Sequence, residues 1–196
     1  MEGWVAERPR TSHRETRAHL DDGDAEDRLG GFVRAELRRL VQADRAAPLV
    51  LCIGSDRSTG DALGPLIGSL LLEQGVPRER VVGDLTLPVH ASNLKRVWLD
   101  LRQRRPRPVV VAVDACLGRQ ESIGTLTAGF GPLRPGAGVN KDLPPVGDLY
   151  LTGTVNVSGF MEYFVLQNTR LSLVMAMARR MTAILLGTLT DGDSLD

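Results

Sequence analysis

The run from Pro108 to Val113 constrains the fold of this chain more than any other feature of the sequence. It is almost wholly apolar and is followed directly by Asp114. A strand that is apolar at successive positions has to be covered on both faces, as the central strands of parallel sheets are. The run therefore predicts a central strand in a sheet that carries helices on both sides.

Strand-like and helix-like segments alternate around this run. We predict further strands at 49–53, 81–85, 123–130 and 149–155, and helices at 61–74, 93–103 and 169–186. Such alternation is typical of a three-layer α/β fold with a mainly parallel, twisted sheet and helices on both faces. Ligands of such sheets bind beyond the carboxyl ends of the strands.

The hydrophobic pattern divides the chain into four parts. Residues 1–25 have no hydrophobic period, and we expect them to be a disordered tail. Residues 26–46 have the spacing of an amphipathic helix. Residues 47–188 form a single α/β domain, and residues 189–196 form a short C-terminal tail.

The charge balance excludes two classes of partner. Lys plus Arg and Asp plus Glu each number 24, so we expect no nucleic acid and no anionic membrane surface as a partner. The apolar runs are shorter than the roughly 20 residues that a membrane span needs. Met1–Arg10 has no apolar stretch of the kind found in secretory signals, so a cytoplasmic location is expected.

The turn Gly54–Pro65 is the most concentrated polar segment, and it contains Asp56, Ser58 and Asp61. Free N–H groups at such a strand-to-helix turn can bind an anion. The spacing matches neither the P-loop nor the dinucleotide-binding fingerprint, so an anion or nucleotide site at Gly54–Gly60 remains a lesser alternative. Taken alone, Asp61 is more typical of a helix cap.

Asp114 adds a second acid at the same edge of the predicted sheet. If the two strands are neighbours, Asp61 and Asp114 converge in one cleft, where two carboxylates tend to share a proton. One can then act as a base toward water and the other as an acid, which is the minimum apparatus for amide hydrolysis. The alternative is that both acids are structural hydrogen-bond acceptors.

Other polar residues are candidates for contacts with a substrate. His90 follows the second predicted strand, where capping and surface exposure are the alternatives. The long loop 131–148 contains Asn140, Lys141 and Asp142, and loops of this length are usually functional or disordered. No Cys/His cluster suggests a structural zinc site. Asn156 begins a segment whose aromatic residues we assign to the core, with an oligomer contact or a pocket wall as alternatives: Phe160, Tyr163 and Phe164.

Four segments together resemble the YyaC-type sporulation proteins: 52–65, 113–118, 135–148 and 156–164. That family is more distantly similar to the germination protease of spore-forming bacteria and to the hydrogenase maturation peptidases. The resemblance covers about residues 49–186. It implies the maturation-peptidase type of three-layer α/β fold, and a setting in the mother cell or forespore of a sporulating bacterium.

The resemblance also implies roles for the two acids. The germination protease is an aspartic-type enzyme whose essential acids match Asp61 and Asp114. The maturation peptidases bind a metal through two matching acids and a later histidine, but no histidine follows Asp114 here. A divalent metal at the two acids is therefore not favoured, although Asp56 or a water could replace the missing ligand, and no other cofactor is expected.

The resulting hypothesis is a sporulation-associated endopeptidase that uses Asp61 and Asp114 as the catalytic pair against a protein or peptide substrate. Asp56, Ser58, His90 and Asn156 are the predicted substrate-binding residues, together with the loop residues Asn140, Lys141 and Asp142. The alternative is a catalytically silent sporulation binding protein that keeps the fold. The sequence leaves open the substrate, a zymogen step and a homo-oligomeric state.

Overall fold

The computed structural model describes residues 14–41, 46–105, 108–136 and 143–189. Within these ranges the strands are β1 (Glu15–His19), β2 (Ala46–Cys52), β3 (Val81–Val82), β4 (Pro108–Gly118), β5 (Thr125–Phe130) and β6 (Leu149–Val157). The helices are α1 (Ala25–Val41), α2 (Leu63–Glu73), α3 (Leu94–Arg104), α4 (Glu162–Gln167) and α5 (Leu171–Leu189).

All six strands belong to one sheet in the order β1-β5-β6-β4-β2-β3. The pairings β2–β3, β2–β4 and β4–β6 are parallel, whereas β5 pairs antiparallel with both β6 and β1. The sheet is therefore mixed, with a parallel centre and an antiparallel edge. The predicted three-layer α/β class is confirmed, and the central position of the 108–113 strand is confirmed with it.

The two faces of β4 pack against different layers because successive side chains of a strand point to opposite sides. Val109, Val111 and Val113 face the larger core cluster, which is covered by α1, α2 and α5. Val110 and Ala112 face the smaller cluster on the side of α3. Asp114 continues the second series, and its carboxyl group therefore points to the α3 side of the sheet.

The expected disordered tail is wrong for the part of it that the structure describes. Glu15–His19 forms β1, which pairs with β5 from Glu15 opposite Gly129 to His19 opposite Thr125. The pattern of β1 is polar because it is an edge strand, in which Ala18 is the buried residue. Backbone hydrogen bonds to β5, rather than the burial of a regular series of apolar side chains, hold β1 in place.

The predicted helices are present with shifted ends, and one more exists. Helix α1 was predicted over residues 26–46, but it begins at Ala25 and ends at Val41. Ala46 already belongs to β2. Leu189, which was assigned to the C-terminal tail, is the last residue of α5. The short helix α4 was not predicted. Residues 1–13 and 190–196 lie outside the described ranges.

Helix α5 is the single helix in the described ranges that is long and apolar enough to cross a membrane by length and composition. Core helices meet the same criterion, so this is weak evidence for a span. In this structure one face of α5 is buried, through residues such as Val174, Met177 and Met181. Met177 and Met181 help to fill the core.

Candidate active site

The position of Asp114 is set by where its neighbouring strand ends. Strand β2 ends at Cys52, opposite Val113 of β4, whereas β4 continues to Gly118. The N–H of Ile53 still donates to the Val113 carbonyl (2.7 Å), but the next N–H, that of Gly54, turns to the Val89 carbonyl (2.8 Å). Asp114 was predicted to end its strand; it lies instead inside β4, at the point where β2 departs.

Asp61 lies in the turn that connects β2 to α2. The N–H of Ser55 donates to the Asp61 carbonyl oxygen (3.1 Å), which closes the turn. Gly54 has a φ of 144°, and a Cβ there would overlap that carbonyl oxygen. A Cβ at Gly64 would likewise overlap the Ile53 carbonyl. These glycines let the turn and the start of α2 lie directly on the end of β2, which directs Asp61 toward β4.

The two acids line one cleft of about 340 Å³. Its wall comes from the β2–α2 turn, the β3–α3 connection, the long loop before β6, and α4. The lining residues are Ile53, Gly54, Ser55, Arg57, Ser58, Asp61, His90, Ala91, Ser92, Asp114, Pro135, Gly136, Leu143, Tyr163 and Leu166. The structure thus brings together the two acids that sequence analysis predicted to converge.

Burial and the neighbouring charge change the acidity of Asp114. The residue is only 8% exposed. Loss of hydration raises its pKa well above the usual aspartate value, and the negative charge of Asp61 raises it further. The hydrogen bond from the Ala115 N–H to Asp114 Oδ1 (2.9 Å) lowers the pKa and does not offset the other two effects. Burial and the charge of Asp61 thus both act in favour of the protonated form of Asp114.

His90 lies in the cleft wall, at the approach to α3. The backbone N–H of His90 donates to Asn93 Oδ1 (2.8 Å), and its ring Nδ1 lies 2.8 Å from Ser92 Oγ. The contact with Ser92 fixes one ring nitrogen, so the ring is oriented rather than free to rotate. Ser92 was not predicted as a site residue, since nothing in the sequence distinguishes it from other serines near helix starts.

Ser58 and Asp56 have different positions, although both belong to the polar turn. Ser58 lines the cleft, and its buried Oγ has no hydrogen-bond partner among the described residues. A buried hydroxyl without a partner is costly unless a ligand or water satisfies it. Asp56 lines a neighbouring groove instead. Arg57, which was not singled out from the sequence, lines both.

Asn156 lies outside the set of cleft-lining residues. Its Nδ2 donates to the Val165 carbonyl (3.2 Å) and to Thr169 Oγ1 (3.1 Å). Asn156 therefore anchors the end of α4 rather than facing the cleft. The predicted substrate contacts at Asn140, Lys141 and Asp142 lie outside the described residues, but Pro135, Gly136 and Leu143 on either side of that segment line the cleft.

The donor set does not fit a resident metal ion. In the described parts of the chain, no group of three or more His, Cys, Asp or Glu side chains is placed to hold one. The cleft is lined by two carboxylates and one histidine, and these side chains are not placed as a group that could hold an ion.

The fold of this chain is similar to that of a known structure. The chain is similar to the crystal structure of a [NiFe] hydrogenase maturation protease, HycI from Thermococcus kodakarensis KOD1, with a TM-score of 0.50 and 17% identity over 79% of this chain and 99% of that one. At this identity the likeness shows the fold alone. The architecture is that of the maturation-protease α/β proteins.

The sequence then shows the family. The family described as "Protein of unknown function (DUF1256)" matches residues 17–184, and the chain belongs to it. The chain is also 61% identical over 130 residues to the "Uncharacterized protein YyaC" of Bacillus subtilis (strain 168). That match covers 66% of this chain and 63% of the relative, so the chain spans less than two thirds of the relative's length. The resemblance to the YyaC-type proteins is confirmed.

Proposed function

We propose that this protein is a peptidase that hydrolyses peptide bonds with Asp61 and Asp114. The observation that carries the proposal is their shared cleft, in which the charge of Asp61 raises the pKa of the buried Asp114. Two carboxyl groups whose acidities are driven apart supply one base and one acid at the same pH. A protein that used the acids only as structural acceptors would not need an open cleft beside both of them.

The two acids divide the proton transfers of hydrolysis between them. The Asp61 carboxylate accepts a proton from water as the water oxygen bonds to the carbonyl carbon, and Asp114 donates its proton to the carbonyl oxygen. When the C–N bond breaks, Asp61 returns its proton to the amine nitrogen. Asp114 then takes a proton from a hydroxyl group of the intermediate as the carbonyl re-forms. Both acids end in their starting states, so the cycle is balanced.

The surrounding residues support binding of a polypeptide. Ser58 lines the same cleft as the two acids. His90 is held by Ser92 and presents its ring to the same cleft. We extend the proposal to a sporulation-linked role in the bacterial cytoplasm, which rests on the resemblance to the YyaC-type proteins.

The proposal is tested by reading new peptide termini. Purified wild-type protein, Asp61→Asn and Asp114→Asn are incubated with a protein extract of sporulating Bacillus subtilis, and the new termini are identified by mass spectrometry. Asp100→Asn is the matched control, because Asp100 is an exposed acid paired with Arg104 on α3. We expect a defined set of termini from the wild type and the control, and none from the two cleft variants.

Two outcomes contradict the proposal. Termini produced equally by all four proteins would come from a contaminating peptidase. Folded wild-type protein that produces none would favour the catalytically silent binding protein that keeps this fold.

A further inference from the structure

An exposed apolar surface adjoins the cleft at the start of α4. We define the aromatic ridge as Phe160, Met161, Tyr163 and Phe164, whose exposed fractions are 94%, 56%, 63% and 53%. The ridge holds two of the four phenylalanines and one of the two tyrosines in the chain. The sequence-based assignment of these aromatics to the core is therefore wrong. Contiguous apolar side chains in solvent usually mark an interaction site.

The backbone beneath the ridge is held in place. Asn156 binds the Val165 carbonyl and the Thr169 hydroxyl, and that hydroxyl donates in turn to the Val165 carbonyl (2.9 Å). Met161 has a φ of 61°, a left-handed conformation that is costly for a residue with a side chain. Such local strain persists where the surrounding structure enforces it, and it is frequent at binding sites. The ridge is thus presented by an anchored helix.

The ridge is continuous with the cleft. Tyr163 belongs to the ridge and also lines the cleft that contains Asp61 and Asp114. Beyond the cleft, a groove of about 340 Å³ is lined by Leu66, Leu85 and Leu171 and shares Arg57 and Ser58 with it. Apolar side chains therefore line both the cleft that contains the carboxylates and the adjoining groove. Each of the two is large enough for more than one substrate side chain.

We propose that the aromatic ridge binds apolar side chains of an extended polypeptide substrate, next to the bond that the carboxylates hydrolyse. This inference rests on the proposed function and names the substrate class: polypeptide segments that expose bulky apolar residues in an unfolded conformation. A second copy of the chain or a lipid surface would also cover apolar side chains. The continuity through Tyr163 favours the substrate, because a rigid partner seated on Tyr163 would obstruct the cleft.

The binding test uses two fluorescein-labelled peptides of equal length and charge. One carries Phe and Leu at alternate positions, and the other carries Ser at those positions. By fluorescence anisotropy, we expect Asp61→Asn protein to bind the apolar peptide and not the serine peptide. Adding Tyr163→Ala and Phe164→Ala should weaken this binding about tenfold or more, which corresponds to about 1.4 kcal/mol. Adding Leu99→Ala should leave it unchanged, because Leu99 is an equally exposed leucine (52%) on α3.

The outcomes separate this inference from the proposed function. If the apolar peptide binds through the ridge but wild-type protein never cleaves it or any extract protein, the proposed function fails and the surface stands. If the Tyr163→Ala, Phe164→Ala protein cleaves extract proteins with unchanged KM, the inference fails and the peptidase stands. A dimer in sedimentation that the ridge variant converts to monomer, or ridge-dependent binding to phosphatidylglycerol vesicles, would assign the ridge to another occupant and overturn the inference.

Discussion

The N–H of Gly60 donates a 2.9 Å hydrogen bond to the carbonyl oxygen of Leu166, which ties the residue before Asp61 to the last turn of α4. The approach is close, since a Cβ at Gly60 would lie 2.8 Å from Thr169 Oγ1. One end of α4 thus supports the turn that carries an acid, and the other end presents the aromatic ridge. The placement of Asp61 consequently depends on how well α4 is anchored.

The first prediction concerns that anchor. Asn156→Ala removes the hydrogen bonds to Val165 and Thr169, so we expect a loss of about 1–2 kcal/mol in the free energy of unfolding, measured with urea. Asn168→Ala is the control, because this exposed asparagine also donates to an α4 carbonyl, that of Phe164. Its effect should stay within about 0.5 kcal/mol. Equal effects of the two variants would show that Asn156 does not anchor α4.

The second prediction concerns the turn that carries Asp61. Gly54→Ala forces a Cβ onto the Asp61 carbonyl at a φ of 144°, so we expect a loss of about 3 kcal/mol or more in stability. Gly75→Ala is the control: its φ is 86°, and a Cβ there would have no heavy atom within 4 Å. That variant should lose about 1 kcal/mol from backbone strain alone. Similar losses in urea unfolding would mean that the turn relaxes around the added methyl group.

The third prediction concerns residues 1–25, which the sequence-based expectation assigned to a disordered tail. Their deletion removes β1, the buried Ala18 and Ala25, and the 2.9 Å ion pair of Arg14 with the buried Glu36. We expect a loss of about 2 kcal/mol or more, or about 4–8 °C in Tm for a chain of this size. Arg17→Ala, at an exposed ion pair with Glu15, should change Tm little. An unchanged Tm for the deletion would contradict the packing of β1.

The fourth prediction concerns the pH dependence of stability. Burial and Asp61 raise the pKa of Asp114 in the folded protein, so between the usual aspartate pKa and the raised one the native state holds more protons than the unfolded chain. The contribution of Asp114 to stability is therefore full below this window and is lost as the pH rises through it. Asp114→Asn should become progressively more stable relative to wild type across the window. Urea unfolding at several pH values measures the difference.

The matched variant for this measurement is Asp100→Asn, which removes an exposed carboxyl group on α3. A difference between Asp114→Asn and wild type that stays constant over the whole pH range would show that the folded protein does not raise the pKa of Asp114.

The parts of the fold that sequence analysis predicted are those fixed by hydrophobic burial. The apolar run up to Val113 indicated a covered strand, and Asp61 and Asp114 were expected to converge if their strands were neighbours, as β2 and β4 are. Strand β1 was not predicted because it pairs at the edge of the sheet through backbone hydrogen bonds, which require no regular pattern of apolar residues in the sequence. The aromatic residues from Phe160 to Phe164 were assigned to the core because large apolar side chains are usually buried, whereas in this structure they are exposed.

The coupling of the two acids is tested most directly by following the titration of the Asp114 carboxyl carbon by ¹³C NMR in wild-type protein and in Asp61→Asn. We expect wild-type Asp114 to titrate well above the usual aspartate pKa. In Asp61→Asn its midpoint should fall toward that value and remain above it, since burial persists without the neighbouring charge. An identical midpoint in the two proteins would contradict the claim that Asp61 and Asp114 act as one coupled pair.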